Sequence, residues 1–174
     1  MERKKWMHQE VITEQVVRIR EKKKWQLALR RYVVEKNRSP LYAFYFGLSI
    51  EQFRNWIEVQ FTSGLEWSNF GLAWQFEHII PVTHFDFSNE NDLKLCWKFI
   101  NRRVQRVSME KGGVENISMI AARRYFEGLN HKTGYSICLK MLERITQIEK
   151  ESIVNEPDIE AFINSNKVQL EIMA

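Results

Sequence analysis

The sequence predicts an α+β protein that is mostly helical and contains one small two-stranded β-hairpin. Apolar residues recur at helical spacing through most of the 174 residues. Two short runs, residues 74–80 and 101–107, are instead rich in β-branched and aromatic side chains. With 44% hydrophobic and 28% charged residues, the chain has enough apolar material to bury a core.

The first half of the chain is predicted to be helical up to the first strand. Residues 4–35 contain no Gly or Pro and form one long helical arm, which the sequence "NRSP" at 37–40 ends. Ser49, with Gln52 three residues later, has the pattern of a capping box and opens a short amphipathic helix. The turn-rich residues 62–71 form a loop.

The hairpin and the helices that follow it are predicted from local signals. The strand over 74–80 stops at Pro81, and a helix over 89–99 leads to the second strand over 101–107. "KGG" then breaks the second strand. Three more helices are expected, over residues 114–129, over residues 135–151 and from Pro157 onward.

These elements group into three predicted segments, which are a basic helical arm at 1–38, a core at 39–130 and a C-terminal helical extension at 131–174. Residues 1–38 hold 12 Lys and Arg against 5 acids, a net charge of +7. Residues 147–174 hold 2 against 6, a net charge of −4. A basic arm of this kind suits a polyanion, and the alternative is a solvated helix face. The acidic last helix could pack against the arm.

The sequence alone predicts neither a membrane-spanning protein nor one stabilised by disulfides. No apolar stretch approaches about 18 residues, and the first ten residues have no apolar segment of the kind found in signal peptides. We therefore expect an intracellular protein without a membrane partner. Cys96 and Cys138 stand alone and are predicted to be reduced core residues, not zinc ligands.

The stretch "WQFEHIIPVTHFDF" raises the question of function. Glu77 and His78 are adjacent ionisable residues inside an apolar run. Burying either group without a partner costs several kcal/mol, so the pair requires a partner or a chemical role.

The order of residues around this stretch resembles that of HNH endonucleases, in the form found in phage-borne and mobile-element nucleases. The resemblance covers roughly half of the chain and rests on paired arginines, a "QF", a "G-x-x-W-x-N-x-G" segment and an "acid-His-Ile-x-Pro" motif followed by "FD", Cys and Asn. The matching residues are Arg30, Arg31, Gln60, Phe61, Gly64, Trp67, Asn69, Gly71, Trp74, Glu77, His78, Ile79, Pro81, Phe85, Asp86, Cys96 and Asn101.

The resemblance implies a ββα-metal core and a metal-dependent DNA endonuclease that hydrolyses phosphodiester bonds. His78 would be the general base, because its imidazole titrates near neutral pH. Glu77 would supply a hard oxygen ligand to one divalent cation, Mg²⁺ or Mn²⁺. Asn101 would orient the imidazole and hold the loop between the strands.

Basic residues near the motif are the predicted contacts to nucleic acid, which is expected to be double-stranded DNA. They lie in the arm and in the second strand, at Lys22, Lys23, Lys24, Arg30, Arg31, Arg102, Arg103 and Arg106. Lys and Arg at such positions would pair with backbone phosphates. The alternative for the strand arginines is a solvated strand face.

Departures from the family pattern leave a second function open. Glu77 replaces the usual Asp, and "RRVQ" follows Asn101 where relatives usually have "Leu-x-Pro-Leu". The third metal ligand falls on Ser108, with Glu110 nearby, in one alignment and on Asn116 in another. The alternative is therefore a degenerate member that binds nucleic acid, or that serves as a structural subunit of a larger nucleoprotein assembly.

Overall fold

The structure is a computed structural model that describes residues 13–107, 117–152 and 156–173. The chain divides into two compact units, with the boundary between residues 114 and 115. The described residues form helices and one two-stranded antiparallel sheet. This confirms the predicted α+β, mostly helical class.

Within the first unit, the described residues 13–107 form four α-helices and the sheet. The helices are α1 (Glu14–Leu29), α2 (Pro40–Phe46), α3 (Ile50–Glu58) and α4 (Glu90–Trp97). A π-helical turn, Arg30–Val34, extends α1. Short 3₁₀ turns occupy Trp67–Asn69, Val82–His84 and Phe99–Asn101.

Local capping explains where these helices begin. The predicted capping box at α3 is present, because the Ser49 hydroxyl accepts from Gln52 N at 3.2 Å and Ser49 N donates to the Gln52 amide at 3.1 Å. Helix α2 was not predicted, although Ser39 caps it and Pro40 is its first residue. Of the predicted arm helix, residues 4–12 lie outside the described part of the chain.

The two strands are β1 (Trp74–His78) and β2 (Arg102–Arg106). They pair antiparallel, with Trp74 opposite Arg106 and His78 opposite Arg102. Residues directly opposite in such a pair project from the same face of the sheet. His78 and Arg102 are therefore neighbours at the end of the sheet where the connection between the strands begins.

An aromatic core joins α1, the main described part of the predicted arm, to the rest of the first unit. Trp25 of α1 is buried and stacks on Trp97 of α4, with ring centroids 6.1 Å apart. Tyr32 and Val33 of the π-helical turn are also buried. The described part of the predicted arm is thus packed into the unit that contains the sheet.

The second unit contains α5 (Met119–Thr133), α6 (Ile137–Ser152) and α7 (Glu156–Met173). Helices α5 and α6 form a hairpin through Gly134, whose φ of 65° ends α5 in the left-handed conformation. The buried apolar residues of these two helices are Ala122, Phe126, Cys138, Met141, Ile145 and Ile148. The packing of α7 against the arm remains a prediction.

Both cysteines are free and buried, as the sequence predicted. None of the described helices has the length and apolar character needed to cross a bilayer.

Candidate functional site

The candidate site lies where the connection between β1 and β2 leaves the sheet, and Asn101 holds it together. The Asn101 side chain is fully buried. Its Oδ1 accepts from Ile80 N at 2.8 Å, and its Nδ2 donates to Ile80 O at 3.2 Å and to Cys96 O at 3.0 Å. One amide thus joins both ends of the connection, which is the arrangement expected of a residue that holds the loop between the strands.

The His78 imidazole is contacted by Arg102. Arg102 Nη1 lies 3.0 Å from His78 Nδ1. The Arg102 guanidinium also lies over the Trp97 ring, 4.0 Å from its centroid, and the Trp97 ring meets the His78 ring nearly edge-on at 5.0 Å. The expectation that Asn101 would orient the imidazole is wrong, because its amide bonds only to backbone and Arg102 takes that place.

Arg102 is also not the surface phosphate contact that the sequence suggested. Its side chain is only 2% exposed, and that of His78 only 6%. Both project from the face of the sheet that α1 and Trp97 cover. A strand arginine predicted to face solvent is therefore part of the interior.

The contact with Arg102 fixes the protonation state of His78. Burial lowers the pKa of Arg102 to about 9, which still leaves it charged at neutral pH. A charged guanidinium only donates hydrogen bonds, so His78 Nδ1 must accept and the ring hydrogen must be on Nε2. Burial, followed by the charges of Arg102 and Lys22, holds the pKa of His78 well below its usual range.

This arrangement leaves the imidazole without a free lone pair. Nδ1 already accepts from Arg102, and Nε2 carries the hydrogen. A general base must accept a proton from water, and His78 can do so only if Arg102 leaves Nδ1.

Several buried donors around this contact are unsatisfied. His78 Nε2, Arg102 Nε and Arg102 Nη2 have no hydrogen-bond partner in the described part of the chain. Buried polar groups are normally paired, and each one left unpaired costs about 1–3 kcal/mol. The site therefore has an excess of donors, which suits an anionic group better than a cation.

The described residues do not fit the divalent cation that the resemblance implies. Glu77 is half-buried, and its Oε1 accepts from His78 N at 2.9 Å. Across residues 13–107, 117–152 and 156–173, no group of three His, Cys, Asp or Glu side chains is arranged to hold a metal. The positive charges of Arg102 and Lys22 would repel a metal cation near His78. The candidates Ser108, Glu110 and Asn116 lie outside the described residues, so a third ligand there remains a prediction.

The predicted basic contacts have different environments. Lys23, Lys24, Arg30, Arg31 and Arg106 are exposed, and Lys22 and Arg103 are half-buried. Lys24 pairs with Glu21 at 3.2 Å and Arg30 with Glu35 at 3.3 Å, both at the surface, where such pairs contribute little. Arg106 donates to Thr62 Oγ1 at 3.0 Å and to Ser63 O. The exposed members are accessible to phosphate.

Sequence reasoning missed Trp97 and the proximity of Lys22 to His78. Trp97 ends α4 and contacts both His78 and Arg102. The one available signal was Arg102 itself, because strand alternation places it on the same face as the apolar Phe76.

Comparisons with known proteins do not assign a family. No family model matches the chain, and no solved structure matches it. An Acanthamoeba polyphaga mimivirus protein, "Uncharacterized protein L426", is 39% identical over 59 residues, which are 34% of this chain and 26% of that protein. "Uncharacterized protein L246" of the same virus is 30% identical over 66 residues, 38% of this chain and 29% of that protein. The matched region thus spans little more than a quarter of either relative.

Replacing Asn101 should destabilise the first unit. Asn101→Ala removes three buried hydrogen bonds and leaves Ile80 and Cys96 backbone groups unpaired, so we expect a loss of about 2–4 kcal/mol in the free energy of unfolding by denaturant titration. Asn91→Ala, an exposed position on α4, is the matched control and should change it by less than about 0.5 kcal/mol. Equal effects would contradict the role given to Asn101.

Acidification should destabilise the protein through His78. Its folded pKa lies below the unfolded value, so the unfolded state binds the proton first and stability is complete only above the ordinary His pKa of about 6.5. As the pH falls below that value, the free energy of unfolding should drop by up to about 1.4 kcal/mol per pH unit. His78→Gln should remove this dependence, whereas His84→Gln should retain it. A slope that survives in His78→Gln would contradict the buried neutral imidazole.

Proposed function

We propose that the protein binds nucleic acid, with duplex DNA as the expected partner, on a hairpin that resembles HNH endonucleases but does not hydrolyse DNA efficiently. The observation that carries this proposal is the buried contact between Arg102 Nη1 and His78 Nδ1. It supplies positive charge and donors where hydrolysis would require a cation site and a free base.

Charge on the same unit supports binding. The exposed side chains of Lys23, Lys24 and Arg31 lie on α1 and its extension. Lys22, one residue earlier, lies close enough to His78 to affect its pKa. Cations spread along an exposed helix suit the regular phosphates of a duplex, which contribute most of the sequence-independent affinity.

The lysines of α1 should contribute to the salt dependence of binding. Lys22, Lys23 and Lys24 changed together to Gln should weaken binding to duplex DNA, and each lost phosphate contact should reduce the slope of log affinity against log salt by about 0.9. Fluorescence anisotropy at several salt concentrations measures both quantities. Lys132, Lys140 and Lys150, changed to Gln in the second unit, form the control triple. Equal salt-dependence slopes for the two triple variants would mean that the α1 lysines are ordinary solvated residues that make no phosphate contacts.

A metal-dependent endonuclease is the second candidate, and one observation favours it. Asn101 holds the connection between the strands as the HNH resemblance implies, and Glu77 and His78 lie together at the end of β1. His78 could then act as a base only after Arg102 moved away from Nδ1.

A plasmid-nicking assay separates the two candidates. With Mg²⁺ or Mn²⁺, we expect the wild-type protein to leave supercoiled plasmid intact beyond the level of protein-free controls, because His78 has no free lone pair. Nicking by the wild type that His78→Ala abolishes and His84→Ala retains would establish the endonuclease instead. A circular dichroism spectrum of each variant shows that the fold is kept.

A further inference from the structure

A cavity of about 340 Å³ lies between α1 and β1, beside the buried arginine. The residues that matter for its chemistry are Gln26, Arg30, Phe70, Gln75, Phe76 and Arg102. Of these residues, only Arg30 belongs to the family motif, and Arg102 was predicted separately as a nucleic-acid contact. The volume lies at the lower end of the range that small-molecule sites occupy.

Two aromatic rings, with Leu27 and Leu29 of α1, supply the apolar part of this cavity. Phe70 and Phe76 are half-exposed, and their ring centroids lie 5.0 Å apart at an interplanar angle of 45°. Trp74 supports both rings, with its centroid 5.0 Å from Phe70 and 5.3 Å from Phe76. Half-exposed phenylalanine rings in a mainly apolar cavity provide a surface on which a planar ring can stack.

The polar part of the lining is cationic. Arg30 and Arg102 contribute two positive charges, and none of the residues that line the cavity is acidic. Arg102 has two buried nitrogens without an acceptor, while Arg30 is mostly exposed and contacts Glu35 through its Nε at 3.3 Å. A ligand that carries negative charge would complement this lining.

We propose that this cavity binds a single unpaired nucleotide of a nucleic acid strand. Its base stacks on Phe76 and Phe70, the Gln26 amide offers hydrogen bonds to the base edge, and the exposed Arg30, together with the buried charge of Arg102, attracts its phosphate. The inference rests on the proposed nucleic-acid-binding function and adds a preference to it. Base-paired nucleotides do not fit, because both faces of their bases are already stacked within the duplex.

The test compares three labelled duplexes that differ at one position. The first carries one unpaired thymine as a bulge, the second carries an abasic residue at the bulge, and the third is fully paired. The full-length protein is titrated into each duplex at one salt concentration and followed by fluorescence anisotropy. Since bending at a bulge is common to the first two duplexes, their difference reports the base alone.

The wild-type protein should bind the thymine bulge at least about fivefold more tightly than the abasic bulge. Phe76→Leu should bring this ratio close to one while binding to the paired duplex is retained. Phe44→Leu is the control, because Phe44 is 58% exposed in the same unit and does not line the cavity. Gln26→Glu, an exposed change on α1, is a second variant. It replaces the amide offered to the base edge with a carboxylate that cannot donate to the thymine carbonyls, so it should also reduce the ratio even if Phe76→Leu does not fold.

The outcomes separate this inference from the function on which it rests. Equal wild-type affinity for the thymine and abasic bulges, with firm binding of all three duplexes, would overturn the nucleotide site and leave the proposed function intact. Absence of binding to every duplex would overturn both.

Discussion

The buried contact between Arg102 and His78 is the interaction on which the chemistry of this protein depends. The guanidinium lies between an imidazole 3.0 Å from its Nη1 and a Trp97 ring whose centroid is 4.0 Å away. This single placement fixes the tautomer of His78, keeps the ring neutral and puts positive charge beside Glu77. If His78 were solvated and free of Arg102, its imidazole could accept a proton from water and act as a general base.

Burying a guanidinium without a carboxylate bonded to it is costly, and the fold offsets only part of that cost. Packing against Trp97 and one bond to His78 stabilise the charge, while Nε and Nη2 stay unsatisfied within the described residues. A phosphate group near this side of the sheet would stabilise the buried charge through space, without bonding to the buried nitrogens. The buried charge thus connects the energetics of the fold to the proposed partner.

The helical arm and the hairpin act as one surface because they share a core. Trp25 stacks on Trp97, so α1 is fixed against α4, and the charge of Lys22 on α1 is near enough to lower the pKa of His78. Gln26 and Arg30 follow this lysine on the same helix and line the cavity beside β1. A nucleic acid strand bound along α1 could therefore place one unpaired nucleotide in the cavity without a rearrangement of the first unit.

The sequence by itself determined the helical class, the two strands and the capping box at Ser49, because these depend on patterns only a few residues long. It missed α2, and it could not show that Arg102 is interior. Whether a strand residue is exposed depends on what covers its face of the sheet. Helix α1 comes from a distant part of the chain, and Trp97, only five residues before Arg102, reaches it through the turn at Phe99–Asn101. For the same reason, only the tertiary structure could bring Phe76 and Gln26 to one cavity and place Arg102 Nη1 against the Nδ1 lone pair of His78.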